Sequence, residues 1–174
     1  DRLILNANID YYLTFDNVKV GEAQAKYIAA RLPTDRPARI VRIYGAPTDN
    51  NAKLFKQGQD NILQPLIDAG KVEVVFEDWA EDWKPENAKK ITNAAITKAG
   101  QNIDASRASN DGTAGGAIQA LIEEGLGLAF EAAIFDRVDG RGIGRQPPAL
   151  RTRRVEEARL LDHVEGVGVG VDLR

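Results

Sequence analysis

The sequence predicts an α/β fold, a parallel sheet covered by helices on both faces, and three observations point to it. Strand-like and helix-like stretches alternate β-α-β-α-β-α-β-α through residues 1–127. Each unit takes roughly thirty residues, the length of a right-handed βαβ crossover. Turn and cap residues punctuate the alternation at Pro33, Gly45-Ala46-Pro47, Gly70, Gly100 and Gly125. Residues 72–76 form a near-continuous apolar run, the pattern of a strand buried on both faces.

In chain order, residues 9–15 are rich in aromatic and β-branched side chains and read as a strand. Residues 18–32 carry apolar positions at helical spacing, with Asn17 as candidate N-cap and Pro33 beyond the end. Residues 38–44 read as a strand. Residues 51–69 read as a helix closed by Gly70, with Pro65 as a candidate kink. After the strand at 72–76, Pro85 suits the first turn of a helix running to Lys98. Residues 103–108 are a weaker strand, and residues 113–124 a helix closed by Gly125. In such sheets ligands bind beyond the carboxyl ends of the strands. That rule selects four loops: Asp16-Asn17, residues 45–51, residues 77–83 and residues 109–112.

Composition narrows the function. A net charge of −3 and a pI near 5.3 argue against a nucleic-acid partner, which calls for a basic patch. No apolar run reaches the roughly 18 residues a membrane helix needs, and no signal-peptide pattern opens the sequence. Cysteine is absent, so thiolate chemistry and disulfides are excluded. One histidine, His163, leaves no material for a histidine triad or a histidine-rich metal site, and no metal or cofactor is expected. Methionine is absent as well, which reads as a processed product or a fragment.

The composition shifts after about Gly127. Residues 1–127 hold nine Lys, six Arg and ten Asn; residues 128–174 hold eight Arg and neither Lys nor Asn. A Gly-Val repeat ends at Val171, and no segment of the tail clearly continues the sheet. The expectation is an atypical tail over 128–174, frame-shifted or of foreign origin, loosely packed and more mobile than the rest.

Candidate chemistry gathers in the loops. Asp49-Asn50-Asn51 follows a strand and opens a helix, where such side chains either cap the helix or face a ligand. A cap does not need Asn51, whose amide offers both a donor and an acceptor, as a sugar hydroxyl does. Trp79 and Trp83 lie among Glu77, Asp78, Glu81 and Asp82; either indole packs as a lid or stacks on a pyranose ring. Ser109-Asn110-Asp111 leads into Gly112-Thr113-Ala114-Gly115-Gly116. That turn lacks the lysine and spacing of a phosphate loop, so its small residues read as close packing of helix on strand, leaving Asn110 to a ligand. Asp1, Asp16, Asp49 and Asp111 lie near strand ends without a nucleophile-base pairing, so catalysis is not expected.

Several stretches resemble the D-xylose-binding proteins of bacterial ABC transporters, within the type I periplasmic sugar-binding family. They are Asp1-Arg2, Ile9-Asp10-Tyr11-Tyr12 through Phe15-Asp16-Asn17, Asp49-Asn50-Asn51-Ala52-Lys53-Leu54-Phe55, Trp79 to Trp83 with Pro85-Glu86-Asn87-Ala88, and Ala108-Ser109-Asn110-Asp111 with the helix from Thr113 to Leu121. The similarity runs from residue 1 to about 126. It implies a periplasmic-binding-protein-like fold, mainly the second of two lobes: residues 1–15 ending the first lobe and entering the hinge, residues 16–127 forming the second sugar-binding lobe. It implies ligand contacts from Asp1, Arg2, Asn51, Trp83 and Asn110, with Trp83 stacked on the ring. It further implies D-xylose or a related aldopyranose as ligand, a membrane permease as partner, a periplasmic location and a monomer. Most of the first lobe, with an arginine and an aromatic for the sugar, lies outside this sequence by the same comparison. So do a later ligand aspartate and the returning hinge strands. Ser106-Arg107 departs from the family pattern by placing an arginine in an otherwise apolar strand. The alternatives are the effector-binding core of a sugar-responsive transcription regulator, and an α/β enzyme taking a phosphorylated substrate at residues 112–116.

Overall fold

The computed structural model describes residues 8 and 10–126, and the backbone of two further strands at residues 130–133 and 170–173. In order these are α1 (Asn17–Ala29), β1 (Ala38–Tyr44), α2 (Asn50–Asp68), β2 (Val72–Trp79), a 3-10 turn (Glu81–Trp83), α3 (Pro85–Ala99), β3 (Ala105–Ala108), α4 (Asp111–Glu123), β4 (Phe130–Ala133) and β5 (Gly170–Leu173). They form one sheet of order β2-β1-β3-β5-β4. β1 pairs in parallel with both β2 and β3, while β5 runs antiparallel to β3 and to β4. The α/β class and the parallel central sheet are as expected.

β1 explains why two layers of helices form. Its side chains alternate between faces. Ala38 and Ile40 pack with Ala25 and Ile28 of α1 and Leu63 of α2. Val41 and Ile43 pack on the opposite face with Ala88, Ile91 and Ala95 of α3 and with Ala114, Ala117 and Leu121 of α4. Ile40, Val41 and Ile43 are fully buried. Each such side chain contributes about 1.5–3 kcal/mol relative to exposure.

Five expectations need correction. Residues 11–16 form no strand, and Tyr11, Leu13 and Phe15 stand exposed; a strand needs a neighbour to pair its amides and carbonyls, and none lies alongside among the described residues. α1 is capped by Asp16, whose Oδ1 accepts from the Lys19 amide at 3.1 Å, rather than by Asn17. β2 reaches both core clusters, through Val72 and Val74 in one and Val75 and Phe76 in the other, but it is not buried along its length. It is an edge strand of the described sheet with Glu73, Glu77 and Asp78 exposed, and such charges discourage edge-to-edge pairing. The small residues of α4 do more than pack on the sheet: Ala114 and Ala117 do so, but a β-carbon on Gly116 would stand 2.0 Å from the Pro85 carbonyl oxygen of α3, a helix-on-helix contact. Finally, the tail does add to the sheet through β4 and β5. In Gly170-Val171-Asp172-Leu173 the apolar residues recur every second position, a strand period hidden by its glycines. Residues 134–169 lie outside the described residues.

The helices meet closely where glycine permits. A β-carbon on Gly21 of α1 would stand 2.1 Å from the Phe55 carbonyl oxygen of α2, and one on Gly58 of α2 would stand 1.9 Å from that of Val18. The polar exceptions to this core are more telling. Arg107 on β3 lies in register with Arg42 on β1, and both are buried. Arg42 is neutralised by Asp60 at 2.5 Å and lies 3.6 Å from Glu77. Among the described residues Arg107 has only the Ser109 hydroxyl, 3.4 Å from Nη1, while its Nε and Nη2 meet no partner there.

The amino end of the sheet is tied differently. Asp104 accepts two hydrogen bonds from Arg36, at 2.8 and 2.5 Å, and one from the Arg39 amide at 2.7 Å. The Arg36 guanidinium first, then the Arg39 amide, outweigh the effect of burial and hold the Asp104 carboxyl below its usual pKa. A depressed carboxylate stabilises the fold above its unfolded pKa, near 3.9, and that contribution is lost as pH falls through its folded pKa. Asp104→Asn should therefore lower the melting temperature at pH 7, and the difference from wild type should shrink below about pH 4. Thermal unfolding across that range is the measurement; an unchanged difference at acid pH would remove Asp104 from the account.

Candidate functional site

The carboxyl ends of β1, β2 and β3 lead into three loops that converge. Asp49 is the N-cap of α2, its Oδ1 accepting from the Asn51 amide at 2.9 Å. Because Asp49 caps, Asn51 does not have to, and its side chain turns to α1: Asn17 Nδ2 donates to Asn51 Oδ1 at 3.1 Å. Asn17 also donates to Thr14 Oγ1 at 3.2 Å. The amides of Asn17 and Asn51 are thus held by each other, both buried.

Trp83 ends the 3-10 turn after β2. Asp82 and Trp83 adopt φ values of +54° and +59°, where a side chain strains the backbone. Each such residue costs of order 1–3 kcal/mol and persists only where its surroundings enforce it. Here they do: the indole Nε1–H donates to Asp49 Oδ2 at 3.0 Å, the Trp83 amide donates to the Ala80 carbonyl at 3.0 Å, and the Phe55 ring meets the indole edge-on at 6.4 Å. Trp83 is half-buried, so part of the indole faces solvent.

Trp79 has a different environment. Its ring lies 4.9 Å from that of Tyr44, which donates through its hydroxyl to Glu77. Burial of the Tyr44 phenol raises its pKa far above the ordinary range, outweighing the nearby Arg42 charge. This is packing at the sheet edge, a structural role for the half-buried Trp79 ring.

Asn110 is both a cap and a candidate ligand group. Its Oδ1 accepts from the Thr113 amide at 2.9 Å and from the Thr113 hydroxyl at 2.7 Å. The Thr113 hydroxyl lies 3.3 Å from the Asn110 amide, completing a capping box. Its oxygen is thus consumed and its Nδ2 is left as a donor at the strand end. The same cap occupies the first turn of α4, which counts against a phosphate at residues 112–116. Gly112 joins this loop to Trp83: its β position would lie 3.7 Å from Asn110 Oδ1 and 3.9 Å from the Trp83 carbonyl oxygen. The structure thus brings Asn51, Trp83 and Asn110 to one end of the sheet. Asp1 and Arg2 lie outside the described residues. Sequence reasoning did not single out Phe55; its only signal was its position one helical turn after Asn51.

A three-layer α/β unit with polar side chains gathered at the carboxyl ends of its parallel strands is the architecture of a ligand-binding lobe. The sequence pattern of the periplasmic binding protein domain matches residues 1–135, and the chain belongs to that family. Among its relatives, the D-xylose-binding periplasmic protein of Escherichia coli (strain K12) is 51% identical over 126 residues, covering 72% of this chain and 37% of that protein. The D-xylose-binding periplasmic protein of Haemophilus influenzae (strain Rd) is 52% identical over the same length, with the same coverage. An ABC transporter solute-binding protein from Clostridium phytofermentans, solved with bound β-D-glucose, superposes with a TM-score of 0.65 at 35% identity. That match covers 71% of this chain and 42% of that one. The chain therefore spans little more than a third of the length of the D-xylose-binding relatives it matches.

Proposed function

We propose that the chain supplies one wall of a monosaccharide site, for D-xylose or a related aldopyranose, in the binding component of an ABC uptake system. The observation that carries this reading is the convergence of Asn51, Trp83 and Asn110 at the carboxyl ends of three neighbouring strands. Amide donors and acceptors suit sugar hydroxyls, and a partly open indole suits the apolar face of a pyranose. The names of the relatives support the sugar and the periplasmic setting. On this reading residues 16–127 are the second lobe, residues 1–15 lead from the first, and Asp1 and Arg2 add contacts from that side. A membrane permease takes the sugar onward, and no bond is made or broken in the sugar.

One wall cannot exclude water, so each hydrogen bond to a sugar competes with solvent. Calorimetry of the chain alone with D-xylose should show no micromolar binding. Grafting residues 1–126 in place of the matching segment of the E. coli relative should give a protein that binds D-xylose tightly. A folded graft with no affinity for any aldopentose would sink the reading.

Asn110→Ser refines the test, because serine keeps a capping oxygen at the N-cap and gives up the Nδ2 donor. The graft carrying it should fold with unchanged stability and lose about 1–3 kcal/mol of sugar affinity. Unchanged affinity would assign Asn110 to capping alone.

A further inference from the structure

We propose that Gly45 and Asp49 are positioning residues that fix the plane of the Trp83 indole, and with it the ring face a ligand meets; this rests on reading Trp83 as the stacking residue. Gly45 follows β1 directly. A β-carbon there would stand 2.1 Å from Cη2, 2.3 Å from Cζ2 and 2.4 Å from Cζ3 of Trp83. All three atoms belong to the six-membered ring, so that ring lies against the backbone of residue 45. The five-membered ring is held at its other end by the Nε1–H bond to Asp49 Oδ2. Asp49 cannot swing away freely, because its second oxygen caps α2 through the Asn51 amide. Phe55 closes a third side, its ring inclined 76° to the indole. One contact beneath the ring, one at its polar edge and one at its flank leave the indole a single plane. They also give a reason for two consecutive positive-φ residues at Asp82 and Trp83, since the turn must bend that way to deliver the ring onto Gly45.

Gly45 itself is not at positive φ. No positive φ opposes alanine there, and the first atoms its β-carbon would meet are those of the indole, so Gly45→Ala tests that space. Asp49→Ser tests the hydrogen bond alone: serine remains a good N-cap, and its shorter side chain gives up the bond to the indole.

The experiment uses the chain itself, labelled with nitrogen-15. Its two tryptophans give two indole N–H signals, and Trp83→Phe identifies the one from Trp83. In Asp49→Ser the Trp83 indole proton should exchange with solvent about tenfold faster, the scale of one lost hydrogen bond of roughly 1.4 kcal/mol. The Trp79 proton and the helix content should not change. In Gly45→Ala the Trp83 signal should move and its near-ultraviolet dichroism weaken, again without change at Trp79. If the Trp83 exchange rate and chemical shift are the same in both variants as in wild type, the proposal is overturned. A millimolar D-xylose titration separates it from the functional reading. The wild-type Trp83 signal should move, and Gly45→Ala should need several-fold more sugar for the same displacement. A Trp83 signal untouched by D-xylose counts against the sugar reading, whereas the exchange rates decide the positioning on their own.

Discussion

Replacing Arg107 by valine should make the protein more stable, by about 1–4 kcal/mol, the range seen when buried charges give way to well-packed apolar residues. Arg107 is fully buried on β3, faces Arg42 across the strand pair, and among the described residues leaves Nε and Nη2 without partners. Among the described residues the two carboxylates that pair here, Asp60 and Glu77, both serve Arg42. Burial, then the Arg42 charge, push the Arg107 pKa down to about 9. That is still above neutrality, so the group remains charged at pH 7 and its desolvation is not relieved by losing a proton. Valine fits the pattern of β3, whose neighbours Ala105 and Ala108 are buried and apolar. The urea midpoint should rise, and the melting temperature should gain roughly 2–4 °C for each kcal/mol. Arg42→Val is the contrasting variant. It takes from Asp60 one of its two cationic partners, leaving Lys56, and should destabilise. A lower midpoint for Arg107→Val than for wild type would show that the guanidinium has a use the described contacts omit.

The second large effect is on the ligand. In the graft with the E. coli relative, Trp83→Ala should weaken D-xylose binding by about 3 kcal/mol, roughly 150-fold. About 100 Å² of apolar contact between indole and ring accounts for some 2.5 kcal/mol. Stacking adds about 0.5–1.5 kcal/mol by analogy with aromatic pairs. This lies at the upper end of the 1–3 kcal/mol expected for Asn51→Ala, which leaves one hydroxyl unpaired. Trp79→Ala should instead lower stability and leave the affinity of the folded protein alone, because Trp79 spends its face on Tyr44. Calorimetry with the two variants separates the roles. Wild-type affinity in the Trp83→Ala graft would take Trp83 out of the site.

Local chemistry made the central unit legible in the sequence. β1 runs over the expected residues 38–44, Pro85 opens α3, and Gly100 and Gly125 follow α3 and α4 at positive φ. These boundaries are set by residues next to them in sequence, so periodicity and capping suffice to find them. The failures share the opposite cause. Whether residues 9–15 form a strand, or β2 an edge, depends on which strand lies alongside, and that is settled far away in the chain. The tail strands were hidden for the same reason, because β5 finds its partner in β3 across more than sixty residues of sequence. For the candidate site, residue types and loop position were enough to expect Asn51, Trp83 and Asn110 together at one end of the sheet. The bond from Trp83 to Asp49 was out of reach, since it joins side chains 34 positions apart. Nor does any residue preference announce positive φ at an aspartate followed by a tryptophan.

The close approach of α1 and α2 at Gly21 and Gly58 has a consequence for binding cost. Each helix backbone sits where the other's β-carbon would be, and the interlock lies within about one to two turns of Asn17 and Asn51. Neither helix can roll or slide without colliding with a carbonyl of its neighbour. The Asn17 and Asn51 amides, and the Phe55 ring beside the indole, therefore belong to one stiff plate. Ordering a side chain at an interface normally takes about 0.5–1.5 kcal/mol from the affinity it provides. For these residues that freedom is surrendered when the chain folds, so a ligand arriving at the plate keeps more of what its hydrogen bonds release.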